Sequence, residues 1–224
     1  MIRICVSGSK GKMGSRIAEL SRDDASLELS GSFDAGDESQ DLIEACDCLI
    51  EFTTPEATVK NLQLCEKLGK AIVIGTTGLS ASEQEMVREA AKKIPVIFSP
   101  NMSVGVNLLF KMIADAARVL GDGYDVSIVE AHHIHKKDAP SGTAKEMARI
   151  VKDVSKNIEV PIESVREDEI VGEHTITFDS PTDLVEITHS AKTRDIFANG
   201  ALKAAKFIVG KPAGLYSMKD VLGL

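Results

Sequence analysis

The chain opens with a strand pattern, a glycine-rich turn and a helix pattern, and this order restricts its fold more than any other feature. Residues 2–7 alternate and carry β-branched side chains, which predicts a strand. The turn that follows has glycine at positions 8, 11 and 14, and Ser9 stands where the commonest dinucleotide fingerprint has a glycine. Glycine lets a backbone approach a pyrophosphate, whose charge the N–H groups at the helix start receive. The pattern therefore predicts a Rossmann-type dinucleotide site, with a plain strand-to-helix turn as the alternative.

A second predicted strand, residues 27–33, ends at Asp34, which lies 20 residues beyond Gly14. An acid at this place can accept hydrogen bonds from the adenosine ribose, although a solvated turn carboxylate is the alternative. Ala35 follows, where an arginine would suit the 2′-phosphate of NADPH. The sequence therefore favours NADH, while Lys10 and Lys12 keep NADPH open as a cofactor.

Alternation of strands and helices continues to about residue 102. Further strands are predicted at 48–52, 71–74 and 95–98, with a helix that begins at Pro55 and another, capped by Ser80 and Glu83, that runs to about residue 92. Loops at the carboxyl ends of parallel strands line one edge of a sheet, where such sheets bind ligands. These loops are 8–14, 34–36, 53–54, 75–78 and 99–102.

The pattern changes after Met102, which predicts a second, smaller α+β domain with a mixed, largely antiparallel sheet. A helix is predicted over 143–154, with Thr143 and Glu146 as a capping box. The other predicted elements are a helix at 104–120, a strand at 125–131 and an antiparallel set of strands at 157–165, 170–178 and 184–190. A final helix, 199–209, is expected to return to the first domain. The expected domains are 1–102 with 198–224, which binds the dinucleotide, and 103–197, which binds substrate and mediates oligomerisation.

Composition restricts the partners that the protein is expected to bind and the compartment in which it is expected to act. A net charge of −8 argues against nucleic acid, because a phosphate-binding surface usually carries a basic excess. No apolar run approaches the length of a membrane span, and the start lacks the features of a signal peptide. The four cysteines lie in or beside apolar segments, without the spacing of a zinc or redox motif, and are expected to be reduced. A cytoplasmic protein is expected.

Titratable groups concentrate in one segment, residues 130–144, where three of the five histidines fall within four positions. A metal site is disfavoured there because two lysines adjoin the histidines. Histidine titrates near neutral pH, and Lys136 can anchor an anion or transfer a proton. The backbone N–H groups of Gly142 and Thr143 open a helix and can receive a carboxylate. Together with the cofactor domain, this segment predicts hydride transfer to a small acidic molecule; a solvated polar loop is the alternative.

The segment Glu130-Ala-His-His-Ile-His-Lys-Lys-Asp-Ala-Pro-Ser-Gly-Thr-Ala144 resembles the signature of the dihydrodipicolinate reductase family. The resemblance covers nearly the whole chain and extends to five further segments: Gly8-Ser-Lys-Gly-Lys-Met-Gly14, Gly75-Thr-Thr-Gly78, Asn101-Met-Ser-Val-Gly-Val-Asn107, Val171-Gly-Glu-His-Thr175 and Thr188-His-Ser-Ala-Lys-Thr-Arg-Asp-Ile-Phe-Ala-Asn-Gly200. It implies an enzyme of lysine and diaminopimelate synthesis that uses NADH or NADPH to reduce 4-hydroxy-tetrahydrodipicolinate, a cyclic dicarboxylate, to tetrahydrodipicolinate. It also implies a homotetramer assembled through the sheets of the second domain.

The resemblance assigns His132 and Lys136 as the proton-handling pair, and His133, Gly142 and Thr143 as substrate contacts. The implied cofactor contacts are Gly8, Ser9, Lys10, Gly11, Lys12, Met13, Asp34, Gly75, Thr76, Thr77, Ser99, Pro100, Asn101 and Met102. The chain departs from the family at Thr54 and Ala35, where basic residues are common, and in a short stretch between Asp34 and Cys48. Rival hypotheses are another two-domain dehydrogenase of an amino acid or semialdehyde, and a non-catalytic NAD-sensing regulator.

Overall fold

A parallel six-stranded sheet organises the first of two compact units in this computed structural model, which describes residues 1–155 and 158–224. Unit 1 comprises Met1–Val104 and Asp195–Leu224, and unit 2 comprises Gly105–Arg194. These bounds lie two and three residues from the expected domain boundaries at 102 and 198.

The elements follow one another as β1 (Ile2–Ser7), α1 (Lys12–Ser21), β2 (Leu27–Phe33), α2 (Gln40–Ala45), β3 (Cys48–Glu51), α3 (Pro55–Leu68), β4 (Ala71–Ile74), α4 (Ala81–Ala91), β5 (Pro95–Phe98), α5 (Val104–Leu120), a 3₁₀ turn (Gly121–Gly123), β6 (Asp125–His132), α6 (Gly142–Val154), β7 (Ile162–Arg166), β8 (Glu173–Asp179), β9 (Leu184–Ser190), α7 (Asp195–Ile208), β10 (Gly214–Tyr216) and α8 (Met218–Leu222).

The sheet of unit 1 has the strand order β10-β5-β4-β3-β1-β2, and every pairing is parallel. All residues of β3 and β4 are buried, as expected for strands covered on both faces by helices. The predicted strands β1, β2, β4 and β5 are confirmed to the residue. Because all the strands point the same way, the loops that follow them share one edge of the sheet, which confirms the Rossmann-type arrangement.

Two helices of unit 1, α3 and α4, begin where the sequence predicts. Pro55 is the first residue of α3, and α4 begins with a complete capping box between Ser80 and Glu83. The predicted start of the last long helix at Asn199 is wrong, because α7 begins at Asp195. The carboxylate of Asp195 accepts two hydrogen bonds of 2.7 Å from Arg16 of α1, and an acid in the first turn also complements the helix dipole. This pairing fixes the start of α7 against α1.

Unit 2 contains a four-stranded sheet with the order β7-β6-β8-β9. The pairings β6–β8 and β8–β9 are antiparallel, but β7 lies parallel to β6, so the expected antiparallel set of three strands is wrong in that respect. The predicted strand at 157–165 is observed as Ile162–Arg166, and residue 157 lies outside the described residues. Pro161 has no N–H to donate to a ladder, although its carbonyl accepts from Ile128 N at 3.0 Å, so the strand begins after it. The mixed, largely antiparallel sheet is confirmed.

The helix α6 begins at Gly142, one residue before the predicted start. Its cap is Ser141, whose hydroxyl accepts a hydrogen bond of 3.1 Å from Ala144 N. The predicted capping box of Thr143 and Glu146 is therefore wrong, and Glu146 instead accepts from Arg149. The shift matters because it places Ser141 at the junction between the loop and the helix.

One face of β6 carries both the core and the polar residues of unit 2. Burial alternates along this strand, so Val126, Ile128, Glu130 and His132 share the buried face. Val126 and Ile128 belong to a hydrophobic cluster with residues of α5, α6 and β8. The same face becomes polar at the carboxyl end of β6, and the candidate site lies there.

Among the described residues, no helix has the length and apolar character needed to cross a membrane.

Candidate active site

The turn after β1 is held against the ends of β2 and β3. The N–H groups of Gly8 and Ser9 donate to the Phe33 carbonyl at 3.0 and 3.1 Å. Gly8 has φ +83°, and a Cβ there would lie 2.2 Å from the carbonyl oxygen of Phe52. A Cβ on Gly14 would lie 2.1 Å from the Gly8 carbonyl oxygen. Only glycine fits at these two positions, so the turn has the close backbone packing of a dinucleotide-binding loop.

Asp34 is fixed at the mouth of a cleft of about 800 Å³ beside this turn. Its carboxylate accepts hydrogen bonds of 2.8 Å from the N–H groups of Lys10 and Ala35, which hold the pKa of the carboxyl below its usual range. Asp37 also lines the cleft, and Lys60 projects from α3. The cleft therefore pairs a fixed acid with glycine backbone, as recognition of a ribose and a pyrophosphate requires.

The implied cofactor residues fall into two groups. Gly8, Lys10, Gly11 and Asp34 line this cleft, and the others do not. In the loop after β4, the hydroxyl of Thr76 accepts a hydrogen bond of 3.0 Å from Thr53 N, which joins that loop to the end of β3. In the loop after β5, the hydroxyl of Ser99 donates to the Asn101 carbonyl at 2.9 Å. The side chain of Met102 is buried in the core of unit 1.

Glu51 is a buried acid at the end of β3 that no sequence motif predicted as part of the site. It accepts hydrogen bonds from Asn61 Nδ2 at 2.7 Å and Thr58 Oγ1 at 3.4 Å, and its carboxylate contacts the Thr53 hydroxyl. Burial raises the pKa of Glu51, although these hydrogen bonds oppose the rise. The sequence feature that could have indicated Glu51 is its position as an acid at the end of an apolar strand. Because Thr53 and Asn61 line the cleft, Glu51 fixes one of its walls.

In unit 2, Glu130 and His132 lie two residues apart on the buried face of β6. Oε2 of Glu130 contacts Nδ1 of His132 directly. Oε1 accepts from the Arg166 guanidinium at 2.8 Å and from Ser141 N at 3.2 Å. Burial opposes ionisation of Glu130, but the hydrogen bonds of Arg166 and His132 outweigh it and lower its pKa to about 2. Glu130 is therefore a buried, ionised carboxylate, and both of its oxygens accept hydrogen bonds.

The surroundings of His132 shift the pKa of its imidazole in opposite directions. Burial lowers its pKa, the Glu130 carboxylate raises it, and the nearby cations of Lys136 and Arg166 lower it further. The net direction is down, so the neutral imidazole is favoured near neutral pH. A neutral imidazole bonded through Nδ1 presents Nε2 to a ligand, as a proton-handling group requires.

His174 on β8 also belongs to the site, although no sequence pattern predicted a role for it. Its ring meets that of His132 edge to face, with 5.0 Å between centroids, and its Nε2 lies 3.1 Å from the Ser141 hydroxyl. Burial, followed by the effect of His132, lowers its pKa to about 4. In the sequence, His174 stood out only because the segment Gly172-Glu-His174 is part of the family resemblance.

Lys136 lies in the loop after β6 and forms an ion pair with Asp138, with 2.7 Å between Nζ and Oδ1. The rings of His133 and His135 lie 6.1 Å apart, centroid to centroid. Gly142 and Thr143 are the first two residues of α6, and the space where a Cβ on Gly142 would stand is open to 4 Å. The start of α6 is therefore accessible to an anion from the side of Gly142.

Donor atoms of Glu130, His132 and His174 lie within 4.8 Å of one another, a spacing that a metal ion could use. However, Glu130 already binds His132 directly and accepts from Arg166 and Ser141. Lys136 adds a second cation that acts on His132. This environment suits a carboxylate that supports a histidine better than a set of free metal ligands.

Two family models match the chain in succession. The model described as dihydrodipicolinate reductase, N-terminus, matches residues 2–102, and that described as dihydrodipicolinate reductase, C-terminus, matches residues 105–222. This chain belongs to the dihydrodipicolinate reductase family.

Individual members of the family agree with this assignment. The chain is 41% identical to a 4-hydroxy-tetrahydrodipicolinate reductase of Citrifermentans bemidjiense over the full length of both proteins. It is also 41% identical, again over the full length of both, to the enzyme of that name from Geobacter sulfurreducens. The solved dihydrodipicolinate reductase of Paenisporosarcina sp. TG-14, bound to dipicolinate, superposes with a TM-score of 0.84 at 25% identity and covers 97% of each chain.

Proposed function

We propose that this member of the dihydrodipicolinate reductase family reduces 4-hydroxy-tetrahydrodipicolinate to tetrahydrodipicolinate with a nicotinamide dinucleotide. The observation that carries the proposal is the site around His132. His132, supported by the buried carboxylate of Glu130, ends β6, and Lys136 and the accessible start of α6 follow it in the chain. The full-length relatives carry the name of this activity. This reaction belongs to lysine and diaminopimelate synthesis.

The substrate requires partners for its carboxylates and a group that transfers a proton, and we propose that these residues provide both. Its two carboxylates require positive partners, for which we propose the N–H groups of Gly142 and Thr143 at the start of α6, with His133 as a further contact. Reduction of the ring, with loss of the hydroxyl as water, requires proton transfer. We assign that transfer to His132 and Lys136 as a pair. The solved relative with bound dipicolinate supports a planar cyclic dicarboxylate as the ligand class.

The dinucleotide supplies the hydride when bound, and unit 1 has a cleft that fits its adenosine and pyrophosphate portions. We propose that Gly8, Lys10, Gly11 and Asp34 hold these portions, with Ser9, Lys12 and Met13 as further contacts in the same turn. Contacts to the rest of the dinucleotide are proposed for Gly75, Thr76, Thr77, Ser99, Pro100, Asn101 and Met102. Because Asp34 and Asp37 would repel a 2′-phosphate and Ala35 offers no cation, NADH is the preferred cofactor, with NADPH as a weaker alternative.

We further propose a homotetramer built through the uncovered face of the sheet in unit 2. Helices α5 and α6 pack against one face of this sheet. On β6 and β9, Val129 is 40% exposed and Leu184 is 54% exposed. Thr175 and Thr188 form a cross-strand hydrogen bond of 2.9 Å. A partly apolar sheet face suits pairing with a second copy. A cytoplasmic location fits the four buried, free cysteines.

The activity is tested with substrate made in situ from pyruvate and aspartate semialdehyde by a condensing enzyme. Loss of the near-ultraviolet absorbance of NADH or NADPH is followed after the purified protein is added. Oxidation that depends on pyruvate, aspartate semialdehyde and the condensing enzyme supports the proposal. Failure to oxidise either dinucleotide with all components present would refute it and would favour a non-catalytic, NAD-binding role.

A further inference from the structure

We propose that Glu130, held by Arg166, is a positioning residue that orients His132 for proton transfer and ties it to the start of α6. The inference deepens the proposed function and rests on it for its kinetic test. It assigns a role to a carboxylate and a guanidinium that do not themselves meet the substrate. Their effect is exerted through the imidazole of His132 and the backbone of Ser141.

The contact between Glu130 and His132 fixes the tautomer of the imidazole. A carboxylate of low pKa accepts hydrogen bonds and does not donate them. The hydrogen between Oε2 of Glu130 and Nδ1 of His132 therefore belongs to the imidazole. Nε2 is then left as the nitrogen that can take or give a proton. The same logic explains why a carboxylate behind a catalytic histidine sets its orientation in other enzymes.

The other oxygen of Glu130 connects this histidine to the helix start. Oε1 accepts from Ser141 N at 3.2 Å, and Ser141 is the N-cap of α6. The next two residues are the proposed carboxylate contacts Gly142 and Thr143. One buried carboxylate thus sets the spacing between the group that handles a proton and the N–H groups that hold the substrate.

Arg166 makes the buried carboxylate stable. Its guanidinium donates to Oε1 of Glu130 at 2.8 Å and to the Asp138 carbonyl at 2.7 Å. The second of these bonds reaches the loop that carries Lys136. Without this cation, Glu130 would be a buried charge with only His132 and neutral donors near it, which is costly.

His174 completes the support without adding charge. The Ser141 hydroxyl accepts from Ala144 N, so its own hydrogen is available to Nε2 of His174. The ring of His174 then packs against that of His132. The titratable and charged groups around His132 are Glu130 on its own strand, Lys136 and Asp138 from the following loop, Arg166 on β7 and His174 on β8.

Two substitutions should move the pH profile in opposite directions. The Glu130 carboxylate raises the pKa of His132, so Glu130→Gln should lower it further and move the limb governed by His132 down by about one pH unit. The Arg166 cation lowers that pKa, so Arg166→Gln should move the same limb to higher pH. Glu130→Gln should also reduce kcat about tenfold or more, with a smaller change in KM, because orientation matters most in the transition state.

Glu169→Gln is the matched control, since Glu169 is an exposed carboxylate in the loop between β7 and β8. It removes the same charge and should leave the pH profile in place. Thermal unfolding of each variant separates misfolding from mispositioning. A Glu130→Gln enzyme that folds normally and keeps the wild-type pH profile would overturn the proposal, as would a Glu169→Gln shift of equal size.

A second measurement keeps the inference independent of turnover. The imidazole of His132, assigned by comparison with the His132→Gln variant, is titrated by NMR in the wild type and in Glu130→Gln. A hydrogen fixed at Nδ1 in the wild type and a lower pKa in the variant support the positioning role. Equal pKa values, or a hydrogen at Nε2 in the wild type, refute it even if the protein reduces no substrate. A wild-type protein that reduces no substrate but shows the predicted titration shift in Glu130→Gln would refute only the proposed function.

Discussion

Gly172 lies against the Nε2 edge of the His132 ring. A Cβ added at Gly172 would lie 3.0 Å from Nε2 and 3.3 Å from Cδ2 of the imidazole. The carboxylate of Glu130 holds the opposite side of the ring through Nδ1. His132 is therefore confined between a carboxylate and a glycine, and Nε2 stays free because position 172 has no side chain.

Replacing Gly172 with alanine should crowd this nitrogen. We expect Gly172→Ala to lower kcat about tenfold while it leaves dinucleotide affinity unchanged, because a displacement of a few tenths of an ångström is costly in a transition state. Steady-state kinetics and fluorescence titration with NADH provide the two measurements. Gly123→Ala is the control, since a Cβ there meets nothing within 4 Å. Equal activity of both variants would contradict the confinement of His132.

Loss of the proposed proton-handling pair, His132 and Lys136, should leave cofactor binding intact. We expect His132→Gln and Lys136→Ala each to reduce kcat by about a hundredfold or more, the usual contribution of a positioned acid or base. Their affinity for NADH, measured by titration without substrate, should stay near the wild-type value because the proposed dinucleotide contacts lie in unit 1. Full turnover in both variants would show that the pair has been misassigned.

Cofactor preference should respond to position 35. An arginine there would offer a bidentate partner to a 2′-phosphate beside the fixed carboxylate of Asp34. We expect Ala35→Arg to raise the ratio of kcat/KM for NADPH to that for NADH about tenfold. Ala25→Arg, which places the same charge on an exposed site outside the cleft, is the control. An unchanged ratio in Ala35→Arg would mean that the pair Asp34 and Ala35 does not set the preference.

Assembly should depend on the uncovered sheet face. Val129 is 40% exposed on that face, and a buried arginine there would cost an interface more than it could recover. We expect Val129→Arg to reduce the molar mass in solution from a tetramer to smaller species in sedimentation experiments. Val119→Arg, at a valine that is 83% exposed on α5, should leave the mass unchanged. A tetramer that survives Val129→Arg, or a wild-type monomer, would exclude this face as the interface.

Local patterns were sufficient to predict most of unit 1. The strands β1, β2, β4 and β5 match their predicted bounds because buried parallel strands are apolar runs bounded by glycine, proline or charge. The first residue of α3, Pro55, and the capping box of α4 were also identified, since each depends on residues no more than three positions apart.

The features that the sequence did not predict depend on partners that are distant along the chain. Arg166 reaches Glu130 across 36 positions, and His174 reaches Ser141 across 33. The early start of α7 depends on Arg16, which lies 179 positions from Asp195. Thr143 was predicted as the cap in place of Ser141 because Thr143 and Glu146 have the three-residue spacing of a capping box. The sequence thus identified the segment proposed to carry the chemistry but not the distant residues that contact it.

Hydride transfer from the dinucleotide to the cyclic dicarboxylate is tested most directly with an isotope. NADH and NADPH that carry deuterium in place of both hydrogens at the nicotinamide C4 are supplied with substrate formed in situ, and the product is analysed by mass spectrometry. We predict tetrahydrodipicolinate that is heavier by one deuterium, in an amount equal to the dinucleotide oxidised. Unlabelled product, or dinucleotide bound without any product formed, would contradict the proposed reaction.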